Sequence, residues 1–229
     1  MSKPRPRRGW ISRLFRFSIA ALLALYLFWT ISLVALKFVD PPTTGVQIQR
    51  RLGAMWSGKP YRKRQKFVPL WRISPNLQHA VIAAEDGHFY RHHGIDWEQV
   101  QKVAEESSQA GRVTRGASTI TQQLVKNLFF TTHRNPLRKA FEYTLAPMAD
   151  WILGKRRVLE LYLNVIEFGP GVFGIEAGAE YHDHTTAATL DRDQSARLAA
   201  ILPSPLRRRP ARMDHYSALI LDRMRQLGW

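Results

Sequence analysis

Two adjacent carboxylates, Glu85 and Asp86, close an apolar run in AVIAAEDGHFYRHHG (residues 80–94), and His88, His92 and His93 follow within eight residues. Side chains of these types bind metals or exchange protons. Glu85-x-x-His88 has the i, i+3 spacing of carboxylate-bridged di-iron helices, and His88 can share a helix face with His92. A di-iron site needs a second Glu-x-x-His, and a zincin needs His-Glu-x-x-His; the sequence contains neither. His182-x-His184 is a pair without a third ligand, so no metal site is expected. An acid/base role fits the carboxylates better. If the helix ends near Glu85, both sit at its negative pole, which is unfavourable by several tenths of a kcal/mol. Stability alone would place lysine there.

Two further stretches carry polar groups that an amphipathic helix does not require. Residues 116–127 read GASTITQQLVKN, with small and amide side chains around one cation, Lys126. They suit hydrogen bonding to a sugar amide and a phosphate. Residues 135–142 read NPLRKAFE; Arg138 and Glu142 lie i, i+4, and Lys139 and Glu142 i, i+3. An exposed ion pair is the commonest fate of such spacing.

The elements that must position these groups read as helices. Leu77, Ala80, Val81 and Ala84 follow a helical stripe. A second helix opens at Ser118 and Thr119, where Thr119 with Gln122 fits a capping box, and Ile120, Leu124 and Leu128 form its stripe. A third opens at Asn135-Pro136, with Leu137, Phe141, Leu145 and Met148 inward and Pro147 expected to kink it. Further helices fit residues 155–164, 175–181, 192–202 and 215–227. No alternating strand is evident, so the fold class is mainly α.

Composition narrows the partners. The 229 residues carry 34 Lys and Arg against 18 Asp and Glu, a net charge of +16, and no cysteine. The charge points to an anionic partner, and the missing thiols exclude disulfides and thiolate sites. Residues 17–36 (FSIAALLALYLFWTISLVAL) hold no charge and span roughly 30 Å as a helix, enough for a bilayer. A cleaved signal peptide would have a shorter apolar run and a small-residue cleavage site. Lys3, Arg5, Arg7, Arg8, Arg13 and Arg16 precede the run with no acid, which keeps the N-terminus cytoplasmic and exports the rest. The remainder is still basic, 28 residues against 18. Export makes nucleic acid an unsuitable partner and favours membrane headgroups or a phosphate-bearing substrate. The expected organisation is a basic tail (1–16), an anchor (17–36), a linker and basic juxtamembrane segment (37–69) and a helical domain (70–229), to which the resemblance below assigns catalysis. Seven Lys or Arg and no acid between residues 50 and 67, with Trp56 and Tyr61 among them, fit a stretch near lipid headgroups or a solvated connector.

Together the motifs resemble the peptidoglycan glycosyltransferases. Glu85, Asp86, Phe89, His92 and Gly94 match the family's first motif, and Gly116, Ser118, Thr119, Ile120, Gln122, Gln123, Lys126 and Asn127 its second. Arg138, Lys139 and Glu142 match the third. Lys155, Leu159, Glu160, Tyr162, Leu163 and Asn164, then Gly169 and Gly174, match the fourth, and Leu198, Ala199, Ala200 and Pro203 close the series. Five motifs in order over residues 70–210 exceed coincidence. No Ser-x-x-Lys or Lys-Thr-Gly accompanies them, as in the family's monofunctional biosynthetic form. The chain departs from the family at His182-Asp183-His184, where an aromatic-Gly-Lys sequence is usual, and no role is carried over to that turn.

The resemblance implies a lysozyme-like helical domain with a membrane-facing jaw, held at the bacterial inner membrane with the catalytic domain in the periplasm. The implied reaction polymerises lipid II onto a growing glycan-polyprenyl pyrophosphate. Glu85 would be the base and Glu142 would orient cations or assist the leaving group. Lys126, Arg138 and Lys139 would hold pyrophosphate; Ser118, Gln122, Gln123 and Asn127 would hold sugar or phosphate oxygens. Asp86, Phe89, His92, Gly94, Gly116 and Thr119 would support them. No cofactor is required, although the resemblance allows a divalent cation, Mg or Mn, at the pyrophosphate. Membrane lipids are expected partners, and cell-division or wall-synthesis proteins are candidates. The rival readings are a lytic glycosidase on a related scaffold, which has no use for a phosphate-binding cation set, and a membrane-anchored basic scaffold without catalysis.

Overall fold

A computed structural model describes residues 8–111, 116–133 and 135–229; the first seven residues of the basic tail, with Lys3, Arg5 and Arg7, lie outside them. The chain forms two compact units that divide between Val39 and Asp40.

The first unit is built on one helix, α1 (Arg8–Leu36). Its stretch Ser12–Leu36 is long and apolar enough to cross a membrane. Two of its hydroxyls bond back into the helix: Thr30 Oγ1 donates to the Tyr26 carbonyl and Ser32 Oγ to that of Phe28, both at 2.8 Å. Such back-bonding satisfies polar groups where water is scarce.

The second unit begins with α2 (Gly45–Trp56), capped by the Thr44 side chain, which accepts from Gln47 N–H. The sequence placed this stretch in a linker. Pro41, Pro42 and the basic run masked a helix whose cap is a single threonine. Then come β1 (Arg64–Gln65), α3 (Pro75–Glu85) and α4 (Trp97–Ala110). Helix α4 was also unforeseen, because only Val103 along it is buried and it carries no apolar stripe. Asp96 caps it, and Gly111 at φ 62° ends it.

Helix α5 (Ile120–Phe129) opens as expected, with both bonds of the Thr119/Gln122 capping box formed; such a cap stabilises by about 1 kcal/mol. Ile120, Leu124 and Leu128 are buried, as their spacing predicts. Helix α6 (Pro136–Val165) follows, capped by Asn135. The expected kink at Pro147 is not where the helix breaks. Only Gly154 has non-helical dihedrals (φ 73°, ψ 157°), so α6 is two helices meeting there, the second matching the expected 155–164. Proline's fixed φ suits a helix even where its missing N–H costs a bond, whereas φ 73° suits glycine. Leu137, expected inward, is exposed; Leu145 is buried.

Short strands β2 (Glu167–Gly169) and β3 (Val172–Phe173) complete a sheet of order β1-β3-β2, with β1 parallel and β2 antiparallel to β3. Strands of two or three residues are too short to show alternation, which is why none was expected. Helices α7 (Ile175–Asp183), α8 (Arg192–Ile201) and α9 (Asp214–Gln226) finish the chain close to their expected bounds. The architecture is mainly helical: α3 packs on α8 and α9, and α5 packs between α6 and α2.

Candidate active site

The end of α3, the first turns of α5 and the start of α6 converge at one place. Glu85 is the last residue of α3 and Asp86 is its cap. The Asp86 carboxylate accepts the backbone N–H of Ile120 (2.9 Å) and bonds His92 Nε2 (2.9 Å). The first helical residue of α5 is therefore tied to the neighbour of Glu85. Behind this joint, Thr119 Oγ1 donates to the Gly94 carbonyl (2.6 Å). Gly94 adopts φ 84°, and a Cβ there would lie 2.6 Å from the Ala146 carbonyl carbon of α6. Only glycine lets the three segments close up.

One turn into α5, Gln123 Nε2 donates to Glu85 Oε2 at 2.6 Å, while Gln123 Oε1 accepts from the Tyr162 hydroxyl at 2.9 Å. Burial pushes the Glu85 carboxyl up, against the opposing effects of the Gln123 bond, Lys126 and Arg208. The Tyr162 phenol is pushed well above its usual range by burial and by the charges of Glu85 and Asp86.

Lys126 lies one turn beyond Gln122 and Gln123. Burial lowers its ammonium, while the charges of Glu142 and Glu85 hold it up. Glu142 is itself buried and binds Arg138, and it accepts from Lys139 at 3.2 Å. Lys139 Nζ also donates to Ser118 Oγ at 2.9 Å. The three groups are thus not an exposed ion pair, the commonest fate of such spacing, but a half-buried cluster that joins α6 to the loop before α5.

These groups open onto a cleft of about 590 Å³, lined by Ser118, Gln123, Lys126, Asn127, Arg138, Lys139, Glu142 and Tyr162. Residues 202–207 form the facing wall, and Val46, Arg50 and Glu167 complete it. Arg50, Lys126, Arg138, Lys139 and Arg207 outnumber Glu142 and Glu167 in the lining, so the cleft suits an anionic group. Glu85 stands behind Gln123, half-buried, with Oε1 holding no hydrogen bond among the described residues.

The remaining expected site residues sort by position. Gln122 is fully buried, with its carboxamide closing the cap on Thr119 N–H (3.0 Å), and it does not line the cleft. Asn127 lines it, with Nδ2 donating to the Gln123 carbonyl (2.7 Å). Phe89 is fully buried under Lys155, whose ammonium lies 4.6 Å from the ring centre. Gly116 is exposed, away from the joint. Of the three histidines, His92 serves Asp86 and His88 bonds Asp96 (2.9 Å), the α4 cap. His93 is nearly fully exposed. Among the described residues, no group of three or more His, Asp or Glu is placed to hold a metal.

Sequence reasoning missed Arg50 and Glu167. The Arg50 guanidinium grips the Glu167 carboxylate through Nε (3.0 Å) and Nη2 (2.8 Å), across 117 positions of chain. Nothing local in either stretch signals the other.

Comparison with known proteins gives this geometry its setting. The family described as Transglycosylase matches residues 50–225. A biosynthetic peptidoglycan transglycosylase of Pseudomonas aeruginosa is 40% identical over 220 residues, covering 92% of this chain and 94% of its own. That of Bordetella pertussis is 42% identical over 217 residues, covering 90% and 88%. That of Laribacter hongkongensis is 40% identical over 200 residues, covering 86% of each.

Proposed function

The chain belongs to the transglycosylase family and is a peptidoglycan glycosyltransferase, and from that premise we propose that it polymerises lipid II into glycan strands. The donor is the growing chain on its polyprenyl pyrophosphate, and lipid II supplies the acceptor 4-hydroxyl. The observation that carries this reading is a cleft lined by three cations, Lys126, Arg138 and Lys139, with the raised carboxyl of Glu85 held directly behind Gln123 in its wall.

A sugar hydroxyl needs a base within reach as it attacks. Glu85 Oε1 takes the 4-hydroxyl proton, and the oxygen bonds the donor's anomeric carbon from the face opposite the pyrophosphate. The bond from that carbon to the pyrophosphate oxygen breaks and the electron pair leaves with polyprenyl pyrophosphate. The anomeric centre inverts to a β-1,4 linkage. The departing anion needs positive charge rather than a proton. Arg138 can engage two phosphate oxygens, while Lys126 and Lys139 act as point charges. Glu142 keeps Arg138 and Lys139 aimed into the cleft, and Ser118 and Asn127 offer hydrogen bonds to substrate oxygens. Among the described residues no His, Asp or Glu cluster would hold a Mg or Mn ion, so such an ion would come with the substrate's phosphates and supply further positive charge there.

The apolar Ser12–Leu36 helix fits a single-pass anchor. We place the enzyme in the bacterial inner membrane with its cleft on the periplasmic side, where the substrate's tail stays in the bilayer. Tethering there raises the effective concentration of enzyme and lipid-linked substrate.

The test is incubation of the full chain with lipid II. Growth of glycan polymer, lost in Glu85→Gln, supports the proposal. Shortening of finished glycan without polymer growth would mark a lytic glycosidase and overturn it.

A further inference from the structure

Gln123, expected to hold substrate, lines the cleft, and its carboxamide also bonds within the protein on both sides: Nε2 to Glu85 Oε2 at 2.6 Å, Oε1 to the Tyr162 hydroxyl at 2.9 Å. Tyr162 is 1% exposed, fixed in the second segment of α6 by the core around it. The three side chains come from α3, α5 and α6 and form one line ending at the carboxylate.

The chemistry of the line is directional. An ionised carboxylate accepts hydrogen bonds and cannot donate, so it needs the nitrogen end of the amide. A carboxamide alone has no reason to present that end; turned over, it would set an oxygen against the carboxylate. A phenol that donates to Oε1 selects the productive orientation. When Glu85 takes a proton on Oε1, Oε2 still accepts from Gln123 Nε2, so the amide keeps its orientation through the step.

We propose that Tyr162, acting through Gln123, is a positioning residue for Glu85, setting the orientation of the amide and hence the readiness of the base to accept a proton. This rests on the reading of Glu85 as the base. Neither residue needs to touch the sugar. The other charged groups that act on Glu85 are Lys126 of α5, Arg208 after α8 and Asp86 beside it. None of these is altered by removing one phenol oxygen.

The experiment compares pH profiles of polymerisation for the full-length wild type, Tyr162→Phe and Gln123→Leu with lipid II as substrate. Loss of a hydrogen bond to the charged form favours the neutral acid. The acidic limb of kcat should therefore move upward by about one pH unit in Gln123→Leu and by a smaller step in Tyr162→Phe. KM for lipid II should change less than about twofold in Tyr162→Phe, because the change leaves ground-state binding alone. A limb that stays at its wild-type position in Tyr162→Phe overturns the proposal, as does a rise in KM without a shifted limb. Thermal unfolding of each variant separates misfolding from either result. The base assignment is tested apart, by Glu85→Gln. If that variant polymerises, the reading of Glu85 fails. If it is inactive while the Tyr162→Phe limb is unmoved, only the positioning role fails.

Discussion

The carboxylate of Asp86 accepts the backbone N–H of Ile120 at 2.9 Å, so the residue after the proposed base holds the first turn of the helix that carries Gln123 and Lys126. This bond spaces the proposed base from the lysine proposed to hold phosphate. Asp86 also holds His92 and is almost completely buried. A charge-assisted hydrogen bond of this kind contributes about 1.5–3 kcal/mol. Asp86→Ala should destabilise the protein by about 2 kcal/mol or more, read by denaturant unfolding. Polymerisation should fall further than stability explains, since α5 loses its register against Glu85.

Glu142 should set the upper end of the pH range of polymerisation. Lys126 has its ammonium lowered by burial, and Glu142 is the largest opposing influence. Removing that negative charge lowers the lysine further, so its positive charge is lost at a lower pH. Glu142→Gln should therefore move the alkaline limb of polymerisation toward neutrality, besides lowering activity. An unmoved alkaline limb in the pH–rate profile would assign that limb to another group.

The Arg50–Glu167 pair should behave as a partly buried ion pair. Burial holds the Glu167 carboxyl above its usual range although Arg50 opposes it. Removing one partner of a buried pair costs about 3–5 kcal/mol, and Arg50's 29% exposure reduces that toward about 2 kcal/mol. Arg50→Ala should show this loss at neutral pH and a smaller one as pH falls, because protonated Glu167 no longer needs a counter-charge. The double variant Arg50→Met/Glu167→Leu should regain most of the stability. Urea melts across pH test all three statements.

Gly94→Ala should be a strongly damaging small substitution. The added methyl meets the α6 backbone at 2.6 Å on a residue already at φ 84°. Strain of this kind costs about 1–3 kcal/mol before any clash. Soluble yield and melting temperature after detergent extraction should both drop, with the wild-type lipid composition kept fixed.

Much of this site was legible because its signals are local. The cap at Thr119, the stripe from Ile120 to Leu128 and the ending of α3 at Glu85 are set by residues within one or two turns. What was not legible depends on rotation and distance. Gln122 and Gln123 look alike in sequence, yet about 100° around a helix sends one into its own cap and the other to Glu85. Helix α2 hid behind prolines and arginines, and α4 behind a polar surface. Arg50 and Glu167 meet only through the fold, as do the Tyr162 hydroxyl and Gln123.

The place of α2 in the cleft wall also decides where the chain can be shortened. Val46 is buried and lines the cleft beside Arg50, though both precede the expected start of the catalytic domain at residue 70. An anchor-free fragment beginning at Asp40, where the second compact unit starts, keeps this wall intact. One beginning at residue 70 discards it together with β1, stranding the Glu167 carboxylate without its guanidinium. Such a fragment would keep all five motifs and lack a side of its cleft.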